Sequence, residues 1–125
     1  MITRVINRYS GLAFDLYVAR PSQYGNPYGT RAGTLAGFIV ATREEALRGY
    51  ETWLQARPLL IARVRQELRG KTLACWCVDD LDGKAPIVCH AQILARVADG
   101  ADLPVLPVAG SLDRLAASLA RQGGD

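Results

Sequence analysis

Hydrophobic and polar positions change period several times along the chain, and each change marks an element. Ile2 to Ile6 is short, apolar and β-branched, which predicts a first strand. Asp15-Leu16-Tyr17-Val18-Ala19 predicts a second, stopped by Arg20-Pro21. Ser22 to Thr34 is rich in Gly, Pro, Asn and Tyr and follows neither period, so it reads as a loop. Loops of this length in compact domains are often functional. Thr42-Arg43-Glu44-Glu45 is a capping box, followed by a helical stripe of Ala46, Leu47, Tyr50, Trp53 and Leu54. Pro58 opens a second helix that buries Ile61, Val64 and Leu68, turns Arg63, Arg65, Gln66 and Arg69 outward, and closes at Gly70.

Thr72 to Cys77 reads as a buried strand, and Asp79 to Val88 as a polar, turn-rich connection. His90 to Ala98 is helical, with Ile93, Leu94 and Val97 facing in and Gly100 as its stop. Pro104 to Gly110 is expected to wrap the surface, and Ser111 to cap a last short helix reaching about Arg121. Strands alternating with helices predict an α/β domain with a mainly parallel sheet flanked by helices, a Rossmann-like three-layer arrangement.

The 125 residues, 50% hydrophobic and 22% charged, fit one globular domain spanning 1–125. No apolar run approaches the ~20 residues a membrane-spanning helix needs. The N-terminus lacks the layout of a signal peptide, so a cytoplasmic protein with no membrane partner is expected. The net charge of +3 is too modest to announce a nucleic-acid binder. Its placement is more informative: up to position 43, Arg4, Arg8, Arg20, Arg31 and Arg43 stand against Asp15 alone.

Candidate chemistry concentrates at Cys75, Cys77, Cys89 and His90, the three cysteines and the single histidine of the chain. In a cytoplasmic protein, thiol or metal chemistry is a better reading than a disulfide. Period-two alternation puts Cys75 and Cys77 on one face of their strand, with Trp76 turned away toward the core. They stand at the strand's carboxyl end, where open α/β sheets bind ligands, and Cys89-His90 enters the following helix. Three readings stay open: a tetrahedral zinc site of Cys75, Cys77, Cys89 and His90; a metal-free functional pocket; and plain packing of Cys75. The Cys-x-Cys gap is tighter than the usual ligand spacing.

Tyr17-Val18-Ala19-Arg20-Pro21-Ser22-Gln23-Tyr24-Gly25-Asn26-Pro27-Tyr28, Arg43-Glu44-Glu45-Ala46 with Tyr50 and Trp53-Leu54, Arg69 to Cys77, and Cys89-His90 with Leu94 together resemble a domain family of unknown function. That family occurs in bacteria and their phages and carries a Gly-Asn-Pro loop before a Cys-x-Cys…Cys-His motif. The likeness spans about residues 17–100 and leaves 101–125 as a C-terminal helical extension. It departs at Val78 to Val88, longer here and carrying Asp79, Asp80 and Asp82, which are expected to be solvated. The resemblance implies no activity; it marks residues.

Two functions are expected from these residues. In the first, a phosphorylated small molecule or nucleotide binds between the Gly-Asn-Pro loop and the Cys-His corner. Arg20 and Arg43 hold the anion, Asn26 orients the ligand and Tyr24 stacks on a base. If the ligand is processed, His90 is the acid or base and Cys77 or Cys89 the nucleophile. In the second, zinc stabilises a binding module, with nucleic acid as a partner through the arginine-rich faces.

Overall fold

The computed structural model describes residues 2–32, 36–77 and 79–107. The expected last helix from Ser111 lies outside them. Three strands, β1 (Arg4–Asn7), β2 (Leu16–Tyr17) and β5 (Thr72–Cys75), form a parallel sheet in the order β1-β5-β2. The last strand in sequence therefore takes the centre. Its register sets Ile6 beside Ala74 and Ala74 beside Tyr17, while Val5, Leu73 and Leu16 occupy the neighbouring row. Parallel order requires crossovers: two helices lie in the one from β2 to β5, whereas residues 8–15, which join β1 to β2, hold none.

Helix α1 (Arg43–Gln55) starts where the capping box predicts: the Glu45 amide donates to Thr42 Oγ1 at 3.1 Å, and the Thr42 amide to Glu45 Oε1 at 3.0 Å. Helix α2 (Pro58–Glu67) has Pro58 at its first turn, and Gly70 beyond it has a φ of 76°. Helix α3 (His90–Ala98) is buried along nearly its whole length and rests on β1 and β5, with α2 and α1 packed against it. The α/β expectation, a parallel sheet packed by helices, is what the structure shows. The core joins Val5, Leu73 and Cys75 from the sheet to Leu47, Tyr50 and Leu54 of α1, Val64 and Leu68 near α2, and Ile93, Leu94 and Val97 of α3. Burial of this apolar surface, at about 25 cal/mol per Å², is the main stabilising force.

The loop expected at 22–34 is not wholly irregular. Within it β3 (Tyr28–Gly29) pairs in parallel with β4 (Phe38–Ile39), and the Tyr28 and Phe38 rings stack at 5.0 Å. This ribbon sits against α1, where a Cβ on Gly49 would lie 3.0 Å from the Tyr28 ring. The predicted strand at 72–77 ends at Cys75, so Trp76 and Cys77 are in the bend beyond it. No helix among the described residues is long and apolar enough to cross a membrane.

Candidate ligand and metal site

The carboxyl ends of β2 and β5 and the amino end of α3 enclose a cavity of ≈ 170 Å³. Arg20, Tyr28, Arg43, Trp76, Cys77, Cys89 and His90 are among the residues that line it. The early cationic turn and the thiol–imidazole corner are thus brought to one place.

Arg20 follows β2 by three residues, and the loop is shaped around it. A Cβ on Gly25 would fall 2.8 Å from the Arg20 backbone nitrogen, and one on Gly29 would fall 3.1 Å from Nη1. Only glycine permits both approaches. The result is a guanidinium whose Nη1 is buried with no hydrogen-bond partner among the described residues. Such a group carries the full cost of lost hydration, about 1–3 kcal/mol or more when charged, until something accepts from it. Arg43, first residue of α1, is exposed at the same cavity.

In the same lining, Cys75 Sγ lies 3.6 Å from Cys77 Sγ and 3.3 Å from Cys89 Sγ. Cys75 and Cys89 are buried and Cys77 is exposed. Hydrogen bonds from Cys75 and Cys89 push the Cys77 thiol down to about 3, against burial and with help from His90 and Arg43. Its donors move the other way: Cys75 rises to about 11 through its bond to Cys77, and Cys89 rises through its bonds to Cys75 and Cys77. Of the two candidate nucleophiles, Cys77 is exposed with its thiol pushed down, and Cys89 is buried with its thiol pushed up.

His90 is held from two sides. Nε2 lies 2.8 Å from the Val18 carbonyl, and the Tyr50 ring meets the imidazole edge-on at 5.2 Å. A carbonyl only accepts, so Nε2 carries the proton and Nδ1 keeps its lone pair. Burial pushes the His90 pKa down, so the ring is neutral near neutral pH. Nδ1 stands 3.8 Å from Cys89 Sγ. The ligating atoms of Cys75, Cys89 and His90 all lie within 4.8 Å of one another, a set that does not extend to Cys77. These three residues could hold a metal ion. Ligands at zinc–sulfur and zinc–nitrogen lengths around a tetrahedral ion stand about 3.5–3.8 Å apart, close to the spacings found here. The Nε2–H bond to a backbone carbonyl is the usual support of a metal-bound histidine. The donor set fits zinc.

Other expected site residues turn elsewhere. Tyr24 is core: it is buried, its hydroxyl donates to Glu67 Oε1 at 2.6 Å, and its carbonyl accepts from Tyr50 Oη at 2.6 Å. It does not line the cavity and has no free face for a base. Asn26 lines the cavity, but its amide is committed: Oδ1 accepts from the Tyr28 amide at 2.9 Å and Nδ2 donates to the Ala46 carbonyl at 3.0 Å. It fastens the loop to α1 rather than reading a ligand. Trp76, expected in the core, is 54% exposed, because the strand ends before its alternation reaches that residue. Arg65 and Arg69, expected on a solvated face, donate to the Val97, Ala98 and Ala101 carbonyls at the end of α3.

The 79–88 connection is more ordered than a solvated loop. Asp82 is exposed, and Asp79 accepts from the Asn7 amide. Asp80 is 6% exposed, accepts from the Ala85 amide at 3.0 Å and sits 3.7 Å from Arg96 Nη1. Gln92, fully buried, completes this network and escaped the sequence reading. Its Oε1 accepts from the Val88 and Cys89 amides, and its Nε2 donates to the Pro86 carbonyl and Asp80 Oδ2. The only available signal was a polar residue on an apolar helix, three positions after Cys89, as in a capping box.

The fold and site define a small α/β domain with a cationic, thiol- and imidazole-lined cavity at the carboxyl end of its sheet. A family model described as a domain of unknown function (DUF4326) matches residues 4–100, and the chain belongs to that family. Comparison with curated proteins found no match, and comparison with solved structures found none either.

Proposed function

We propose that this chain binds a phosphorylated, nucleoside-like ligand in the cavity, with the anionic group on Arg20 and Arg43. The observation that carries this reading is the buried, unpartnered Arg20 Nη1. A phosphate oxygen supplies the missing acceptor, and the guanidinium fork suits phosphate bidentately. Trp76, exposed in the cavity lining, offers a flat surface for a base or sugar.

Thermal shift with inorganic phosphate and a panel of nucleotides tests it. A ligand at 100 times its Kd adds about 2.7 kcal/mol to wild-type stability. Arg20→Ala is expected to stay folded, lose no stability, and abolish that shift. If no member of the panel stabilises the wild type, or if Arg20→Ala responds equally, the reading is wrong.

A second reading is favoured by the spacing of the thiol–imidazole set: zinc held by Cys75, Cys89 and His90 stabilises the domain. Protein purified without added metal should then contain about one zinc per chain, as structural sites bind tightly. A folded, metal-free protein would exclude it.

A further inference from the structure

We propose that Cys75, Cys89 and His90 form a three-ligand zinc site whose fourth position opens on the cavity, where an oxygen of the phosphorylated ligand coordinates beside Arg20. The inference rests on both readings above and makes them one site.

Coordination number carries the first part. Structural zinc is enclosed by four protein ligands, whereas open sites use three and leave one exchangeable position. Here three buried residues present their ligating atoms within 4.8 Å of one another, and Cys77 falls outside that group although its sulfur lies 3.6 Å from Cys75 Sγ. Cys77, the fourth candidate from sequence, follows the end of β5 and is exposed. The second part is location. Cys75, Cys89, His90 and Arg20 line the same cavity, so a position left open by the trio faces the space also lined by Arg20, whose Nη1 has no partner among the described residues. Charge carries the third part. Two thiolates and a neutral imidazole cancel the ion's charge, so an anionic oxygen meets a neutral centre and a cationic Arg20. Support around the ligands is also in place: Val18 fixes the imidazole tautomer, and Gln92 fixes the Cys89 backbone.

Two measurements test this. Zinc content is compared for wild type, Cys75→Ser, His90→Ala and Cys77→Ser, each checked for folding by circular dichroism. The expected result is about one zinc per chain in wild type and Cys77→Ser, and loss from the other two. Loss from folded Cys77→Ser as complete as from Cys75→Ser overturns the open position. The second measurement needs no variant. Wild type loaded with cobalt(II) is titrated with inorganic phosphate and with adenosine monophosphate while its visible bands are recorded. The bands are expected to change and to saturate together with the thermal shift. A ligand that stabilises the protein but leaves the bands unchanged overturns coordination and leaves the ligand reading standing. Absence of any stabilising ligand overturns the inference and the ligand reading, and a wild type that takes up no metal overturns the inference and the zinc reading while leaving the ligand reading standing.

Discussion

Tyr24 and Arg20 sit four residues apart in one loop and meet opposite fates. Tyr24 is buried with its hydroxyl donating to Glu67, whereas Arg20 has a buried nitrogen with no partner among the described residues. The first is a stability device, and the second is where the proposed anion would be held. Burial, then the Glu67 bond, pushes the Tyr24 phenol well above its usual 10. The neutral phenol is thus favoured in the folded state, and this contribution is fully present below pH 10. It is lost as pH rises above 10, where the unfolded chain ionises first. Tyr50, raised by burial, acts in the same direction. Tyr24→Phe should cost about 1–2 kcal/mol near neutral pH and flatten the alkaline decline, as read by urea denaturation at several pH values. An unchanged alkaline slope would refute this assignment. Residue identity told what Tyr24, Asn26 and Arg20 are able to do, but not which way each turns. That depends on Gly25 and Gly29 folding the loop over Arg20 and on Ala46 taking up the Asn26 amide.

Among elements, the helices were legible because their signals are local. The capping box at Thr42, Pro58 in a first turn and Gly70 at positive φ are short-range rules, and each is met. The β3–β4 ribbon was not, since strands this short exist only because α1 supplies a surface for Tyr28. Trp76 was misplaced for a related reason: alternation holds only while the ladder continues, and it stops at Cys75. Helix α3 rests on an interaction that no periodicity reveals. Gln92 satisfies two amides and a carbonyl in the connection before the helix, and also binds Asp80. Gln92→Leu keeps the volume but orphans those groups, and should cost about 3 kcal/mol in chemical denaturation. A cost below about 0.5 kcal/mol, typical of surface changes, would show that the network does not hold the loop.

At the scale of the whole molecule, topology makes the site. Placing β5 between β1 and β2 brings Cys75 beside the strand that leads to Arg20, and packing α3 on the sheet delivers Cys89 and His90 to the same end. The cluster of cysteines and histidine was visible in the sequence. Its division into three buried ligands and one exposed sulfur was not, because that division is set by where β5 stops. The account rests on the cationic loop and the thiol–imidazole corner acting on a single ligand. Amide chemical shifts followed by NMR during titration with adenosine monophosphate test that most directly. The account predicts saturable changes at Arg20, Gly29, Thr30, Trp76, Cys77 and His90 together. Changes confined to one wall, or clustered on another face of the protein, would contradict it.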